Sequence, residues 1–318
     1  MPERGFGGDG RAQGGRLACV TVTYHPDLAV LRRQLSALPA EAIKILVDNG
    51  SGDAIQCQMR DLAAEFTNVL FFPQQSNLGL SAAINFGVRE LAACCASRDF
   101  ILLLDQDSEP LEGSIDCLCA ALKALEAAGK NPGAVGPQMR DVQTGLPHGF
   151  HQMSRWRWLR KFPAGDDLEP IPVSNLNGSG TLMRRAVFER LGGLDEALFI
   201  DHVDTDWSFR LLAAGYTLWG IPNAAFLHRM GERSLRFWLF GWRVWPARSP
   251  LRHRYLFRNA LWLMRRTYVP RVWKIWVVVK LMLTAFVHAV FDPSRGRQLL
   301  EMASGVREGL RPPGKARP

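Results

Sequence analysis

Asp105 and Asp107, in Asp105-Gln106-Asp107, set two carboxylates one residue apart at the end of an apolar run, Phe100-Ile101-Leu102-Leu103-Leu104. A run of this kind, bounded by polar residues, reads as a buried strand of a parallel sheet. Open α/β sheets bind ligands outside the carboxyl ends of their strands, so the pair stands where a ligand would lie. Oxygen-only ligands suit Mg²⁺ or Mn²⁺, ions that are usually shared with substrate phosphates. The chemistry implied is a nucleotide-sugar diphosphate held through a metal. An isolated Asp-x-Asp is more often a solvated turn, so its company decides.

The elements that would position this pair alternate. Ala18 to Tyr24 reads as a first strand, and Asp27 caps a helix with apolar Leu28, Leu31, Leu35 and Leu38 that Pro39 ends. Ile43 to Val47 is a second strand, stopped by the turn Asp48-Asn49-Gly50-Ser51-Gly52. A helix near 54–66, a strand at 69–72, a helix opened by Asn77-Leu78-Gly79, the strand 100–104 and a helix at 114–128 follow. This β-α-β order predicts a mostly parallel sheet with crossover helices. Residues from about 138 to 173 read as a long irregular loop. A strand is expected at Gly180-Thr181-Leu182-Met183, a helix from Arg185 and another from Asp204 to Ala214, and the chain reads as helical beyond Ser249. Thr23-Tyr24-His25, Asp48-Asn49, Asn77-Leu78-Gly79 and Asp105-Gln106-Asp107 would then share one sheet edge.

Taken as an ordered set, the motifs from about residue 17 to 230 resemble the family 2 glycosyltransferases, which have the GT-A fold. The matching residues are Val47-Asp48-Asn49-Gly50-Ser51, Asn77-Leu78-Gly79, Asp105-Gln106-Asp107, Asn177-Gly178-Ser179-Gly180, Gly192-Gly193-Leu194-Asp195-Glu196, Asp204-Thr205-Asp206 with Arg210, and His228. Leu104-Asp105-Gln106-Asp107-Ser108, with Phe199-Ile200-Asp201 and Val203-Asp204 later, is most similar to the bacterial L-rhamnosyltransferases of O-antigen and related polysaccharides. The resemblance implies inverting transfer of a sugar, best matched by L-rhamnose from dTDP-rhamnose, to a hydroxyl of a glycan or lipid-linked acceptor.

Under that resemblance each group has a role. Thr23, Tyr24, Asp48, Asn49, Asn77, Gly79, Asp105 and Gln106 would bind the nucleotide and donor. Asp48 would accept from N3–H of uracil or thymine, or else bond its own turn. Asn77 to Gly79 would offer amides to a polar ligand at a helix N-terminus, or be an ordinary cap. Asp107 would ligate Mg²⁺ or Mn²⁺, and His228 would ligate the metal or meet the diphosphate. Asp204 is the candidate general base, with Asp201 and Asp206 as rivals. Asp206 would alternatively cap its helix. Gly178, Ser179, Gly180 and Asp206 would lie against the acceptor or donor sugar. Gln152-Met153-Ser154-Arg155-Trp156 spells a motif of processive membrane synthases, but it precedes Asp204 where theirs follows the base. It reads as coincidence, with Trp156 and Trp158 packing or lining an acceptor groove.

The 318 residues, 47% hydrophobic and 22% charged, have a globular composition, and the six cysteines show no Cys-x-x-Cys spacing. Free thiols in a reducing compartment are expected. Residues 1–16 are Gly-rich, with no apolar core of a signal peptide, and are expected to be disordered. A sheet domain over 17–248 and a basic, Trp-rich helical extension over 249–318 complete the division.

The net charge of +9 is uneven: 20 Lys and Arg against 26 Asp and Glu through residue 228, then 19 against 4. The segment 269–291 carries Arg271, Lys274, Lys280 and His288, so it predicts an interfacial helix with Trp273 and Trp276 at headgroup depth, joined by Trp262. A helix packed on the catalytic domain is the alternative. The location expected is cytoplasmic, peripheral at the inner face of a bacterial membrane, on an anionic surface. A nucleotidyltransferase would need a basic Gly-rich loop after the first strand, where Thr23-Tyr24-His25-Pro26-Asp27 stands. A nucleic-acid-binding protein would use the basic tail, but no helix-turn-helix or zinc-finger spacing supports it, so no nucleic-acid partner is expected.

Overall fold

The computed structural model describes residues 17–312 except 96, 143–144, 164–167, 229–232 and 239–241. The expected N-terminal segment 1–16 lies outside the described residues. The first half follows the predicted alternation: β1 (Leu17–Thr23), α1 (Leu28–Ala37), β2 (Ile43–Asp48), α2 (Asp53–Ala64), β3 (Val69–Pro73), α3 (Leu80–Cys94) and β4 (Phe100–Asp105). The Asp27 carboxylate caps α1 by accepting from the Ala29 and Val30 amides. Then come β5 (Ser108–Pro110), α4 (Ser114–Ala127), β6 (Pro132–Asp141), β7 (Phe150–Met153), β8 (Trp158–Lys161), β9 (Ile171–Val173) and β10 (Leu182–Arg184). The chain continues through α5 (Arg185–Arg190), α6 (Val203–Ala213), β11 (Thr217–His228), β12 (Arg233–Trp238) and β13 (Trp242–Ala247). Three helices close it: α7 (Pro250–Arg265), α8 (Arg271–Phe291) and α9 (Arg295–Gly309).

The main sheet runs β3-β2-β1-β4-β10-β6-β11-β5, with β9 also on β11. β1, β2, β3 and β4 are mutually parallel, as are β6 and β11, whereas β10, β5 and β9 run antiparallel to their neighbours. Side-chain alternation along each strand feeds two cores. Leu17, Cys19, Leu46, Leu102 and Leu104 face α1, α2 and α4, while Ala18, Val20, Ile45, Ile101 and Leu103 join α3 and the C-terminal helices.

The stretch expected to be irregular, 138–173, holds the end of β6, the hairpin β7–β8 and the strand β9. Its Pro, Gly and Trp content hid strands of which β6 and β9 pair with the distant β11, while β7 and β8 pair with each other. The motif-like Gln152–Trp156 segment lies on that hairpin: Gln152 donates to the Pro172 carbonyl (2.6 Å), and Trp156 sits in the turn, exposed.

Helices α7–α9 share the core of the sheet: Phe257, Trp262, Trp273, Val277, Leu281 and Met302 belong to the same apolar cluster as β1 and α3. This corrects the expectation for the tryptophans. Trp273 is 1% and Trp262 9% exposed, and Trp273 lies against Phe209 and His202, so neither reaches a headgroup layer. What α8 presents outward is aliphatic: Ile275, Val279, Met282, Leu283, Phe286 and Val290 are exposed at helical spacing. With 21 residues and a mean hydropathy of 1.8, α8 is long and apolar enough to cross a membrane by length and composition.

Candidate functional site

The carboxyl end of β4 delivers Asp105, Gln106 and Asp107, and the end of β11 delivers His228. One ligand atom from each of Asp105, Asp107 and His228 lies within 4.8 Å of the others. A chain of hydroxyls fixes this triad. The Asp105 amide donates to Ser179 Oγ (2.9 Å), Ser179 Oγ donates to Ser108 Oγ (2.8 Å), and Ser108 Oγ bonds His228 Nδ1 (2.8 Å). His228 Nδ1 is also 3.4 Å from Asp107 Oδ1. Ser179, read from sequence as a sugar contact, is buried with its hydroxyl engaged at both ends. Buried Gln34, on α1, donates to the carbonyls of Asp105 and Ser108 (2.6 Å each) while accepting from Thr21 Oγ1. Neither Gln34 nor Ser108 carries a motif signal of its own. Burial pushes the Asp105 carboxyl up, an effect opposed by His228 and reinforced by Asp107 and Asp204.

The nucleotide side is built from loops. Gln106 Oε1 accepts from the Tyr24 amide (2.7 Å), joining β1 to β4 and leaving the Tyr24 ring exposed. Asp48 is held in its turn. Its carboxylate is fully buried and accepts from Thr23 Oγ1, the Ser51 amide, Ser51 Oγ and Gln56 Nε2. Asn49 Nδ2 donates to Asn77 Oδ1 (3.0 Å), Asn49 Oδ1 accepts from the Leu78 amide, and Asn77 Oδ1 accepts from the Gly79 amide. These amides pin the β3–α3 loop to the end of β2. The loops meet so closely that a Cβ on Gly50 (φ +85°) would stand 2.6 Å from the Ser76 carbonyl carbon, and one on Gly79 (φ +90°) 2.6 Å from the Phe199 ring.

Three acids near the start of α6 differ by their partners. Asp201, at φ 61°, pairs with Arg252 (2.9 Å) and Arg248 (3.4 Å). Burial alone would raise its carboxyl, but the two guanidiniums hold it below the usual range. Asp206, 1% exposed, accepts from Arg266 Nη1 (2.5 Å) and Tyr268 OH (2.6 Å) of the α7–α8 connection. It thus ties α6 to the C-terminal helices. Asp204 has no cation partner among the described residues: Oδ1 accepts from the Thr205 amide (2.7 Å), and burial raises its carboxyl. A Cβ on Gly178 would be 3.7 Å from Asp204 Cβ, so the Asn177–Gly180 turn lies against this acid. At Gly180 (φ +81°) the space for a Cβ is taken by Pro137. Arg248, Arg252 and Lys280, which sequence motifs did not mark, enter the same region from the C-terminal part of the chain.

A parallel β-α-β half ending in Asp105-Gln106-Asp107, continued by a mixed half that returns His228 to the same edge, defines a GT-A-type glycosyltransferase. Solved structures agree on the fold. The chain aligns with GalNAc-T7 crystallised with UDP, GalNAc and Mn²⁺ (TM-score 0.57, 16% identity, 87% of this chain and 58% of that one). It also aligns with Staphylococcus aureus TarS 1–349 (TM-score 0.53, 13% identity, 92% and 80%). Residues 28–192 match the family model Glycosyl transferase family 2, and the chain belongs to that family. It is 29% identical over 261 residues to the dTDP-rhamnosyl transferase RfbF of Shigella flexneri, covering 82% of this chain and 83% of that protein. It is 30% identical to the N-acetylglucosaminyl-diphospho-decaprenol L-rhamnosyltransferase of Mycobacterium tuberculosis H37Rv (69% and 78%). The chain is a glycosyltransferase with rhamnosyltransferase relatives.

Proposed function

We propose that this enzyme moves L-rhamnose from dTDP-rhamnose to a hydroxyl of a sugar carried on a lipid diphosphate, with inversion, in the assembly of a cell-surface polysaccharide such as O-antigen. The observation that carries the reading is the geometry around Asp204: an unpaired, buried carboxylate beside the Asp105–Asp107–His228 cluster, flanked by two acids already neutralised by arginines. The names of the Shigella and Mycobacterium relatives supply the sugar, the nucleotide and the acceptor class.

In the reaction, the acceptor hydroxyl oxygen attacks the anomeric carbon as the bond to the donor diphosphate breaks, and its proton passes to Asp204. Burial makes this carboxylate a stronger base than an exposed one, and it offers an oxygen that no cation holds. The Asp105, Asp107 and His228 donor set, two carboxylates and an imidazole, fits a Mg²⁺ or Mn²⁺ ion, which when bound neutralises the leaving diphosphate. Ser179, Ser108 and Gln34 keep these ligands in register. Tyr24, Gln106, Asn49, Asn77 and Gly79 form the wall for the nucleotide, with Asp48 and Thr23 beneath it holding the turn. Gly178 gives the sugars close approach to Asp204, while Gly180 supplies the turn that packs on Pro137. Asp206 supports the region through Arg266 and Tyr268.

The same reading places the enzyme peripherally at the cytoplasmic face of a bacterial membrane. The exposed aliphatic stripe of α8 and the cationic excess of residues 229–318 support this placement.

A thermal-shift panel tests the function. dTDP-rhamnose with Mg²⁺ or Mn²⁺ should raise the melting temperature, by mass action, more than UDP-, GDP- or ADP-sugars do. A larger shift with one of those, or no dependence on the metal, overturns the donor assignment or the metal site respectively.

A further inference from the structure

The hairpin β7–β8 leans on α8. Trp158 stacks on His151 (5.4 Å between ring centres) and meets Trp276 of α8 (5.7 Å). Lys280, one turn further along α8, holds its ammonium 4.7 Å from the Trp276 ring. The side chains of Lys280 and of Arg160 of β8 make no hydrogen bond or ion pair among the described residues. Buried polar atoms around them also lack partners: His151 Nδ1, Trp158 Nε1, Asn175 Oδ1 and His202 Nε2. The unpaired indole N–H of Trp158 and the two free imidazole nitrogens, which can donate, beside two cations describe a site for an anion.

The charges that bear on Lys280 are Arg248, Arg160, Asp204 and Asp201, and burial with the two arginines pushes its ammonium down to about 8. Burial holds His148 near 4 and His151 and His202 near 3, so these imidazoles are neutral at physiological pH. Arg160 and Lys280 are therefore positive here, and Arg248 and Arg252, which share the single anion Asp201, add to the excess. Lys280 bears on the base Asp204, and the donor diphosphate belongs with Asp105, Asp107 and His228. In a displacement the acceptor arrives on the base's side. Next to the cations lies an open groove of about 220 Å³ lined by Trp156, Trp158, Val272, Ile275 and Trp276. At Ile275 the groove runs into the aliphatic stripe of α8.

We infer that Lys280 and Arg160 hold the diphosphate of a polyprenyl-diphosphate acceptor, with its first isoprene units in the Trp156–Trp158–Trp276 groove and its sugar directed at Asp204. This rests on the lipid-diphosphate acceptor proposed above. Charge and shape agree: an anionic head beside two cations, and an apolar chain along three tryptophans and two aliphatic side chains.

Farnesyl diphosphate, which has the head and three isoprene units but no sugar, is the probe. It would be titrated calorimetrically into the full chain with dTDP and Mn²⁺ present. It should bind, with farnesol and inorganic diphosphate weaker by about tenfold or more, as expected when one half of the site is empty. Lys280→Met should weaken farnesyl diphosphate by about tenfold or more, Lys280→Arg should restore it, and dTDP affinity should be the same in all three. Arg160→Gln, on an exposed hairpin strand, carries the same expectation should Lys280→Met not fold. Equal affinity of wild type and variant for farnesyl diphosphate overturns the inference. A parallel loss of dTDP affinity would move Lys280 to the donor diphosphate, and inorganic diphosphate binding as tightly as the farnesyl form would remove the lipid from the site. No sugar is transferred in this experiment, so a wrong donor assignment shows in the nucleotide panel and leaves the titration intact.

Discussion

Asp204→Asn and Asp206→Asn should give opposite results, although the two acids are two residues apart on one helix. Asn is nearly isosteric with Asp but cannot take a proton. At Asp204, whose carboxylate accepts only from Thr205 and backbone, the change should lower turnover by roughly 10²–10⁴-fold, the usual share of a general base. That is about 3–5 kcal/mol of transition-state stabilisation. Donor affinity should hold, because Asp204 lies outside the Asp105–Asp107–His228 cluster.

Stability should not fall. Burial raises the folded-state pKa of Asp204 above its unfolded value, so the wild type loses stability as pH rises from the unfolded pKa through the folded one. Asp204→Asn removes that loss, and its melting temperature at neutral pH should equal or exceed that of wild type. At Asp206 the substitution leaves Arg266 and Tyr268 facing an amide in place of a buried anion (2.5 and 2.6 Å). Weakening such a pair should cost about 2–4 kcal/mol, moderated by the second partner of Arg266, Asp195. For a chain of this size that is a fall of about 3–6 °C in melting temperature. Steady-state kinetics and thermal melts of the two variants, at matched pH, read both halves. A fully active Asp204→Asn, or an Asp206→Asn that keeps its stability and loses turnover a hundredfold, would move the base to Asp206.

Two further outcomes follow from the same geometry. Ser179→Ala removes the hydroxyl that joins the Asp105 amide to Ser108 and His228, so metal affinity, measured by Mn²⁺ titration of nucleotide binding, should fall about tenfold or more with the fold retained; an unchanged Mn²⁺ dependence would show that the chain of hydroxyls does not position the ligands. Met282→Glu with Phe286→Glu places two charges on the exposed stripe of α8, and sedimentation with anionic liposomes should drop while melting temperature and donor binding stay level; liposome binding that persists would sink the membrane role of that stripe.

The sheet's first half was legible because β1, β2 and β4 are short apolar runs buried on both faces, and the helices between open at local signals, the Asp27 cap for α1 and the turns ending in Gly52 and Gly79 for α2 and α3. Beyond β4, α4, β10, α5 and α6 were legible as well, but β6 and β11 were not. β6 contains Gly133, Gly136 and Pro137, and β11 is interrupted by Pro222 and Asn223, so their local propensity argues against strands. They are strands because they pair with each other across more than eighty residues of chain.

The site divides in the same way. Residue type and order, read through the family resemblance, named Asp107 and His228 as ligands, put Asp105 with the nucleotide and offered Asp201, Asp204 and Asp206 as candidate bases; the structure adds Asp105 to the ligand cluster. Which of the three acids stays free of a cation was decided by Arg252, 51 residues beyond Asp201, and Arg266, 60 beyond Asp206. Likewise Trp273 looked like a membrane anchor by composition, but the face it turns is set by the packing of α8 on Phe209 and His202. A local pattern reports how a segment repeats and where it turns. The partner of a charge, and the side of a helix that meets water, are settled only when the C-terminal helices close over the sheet.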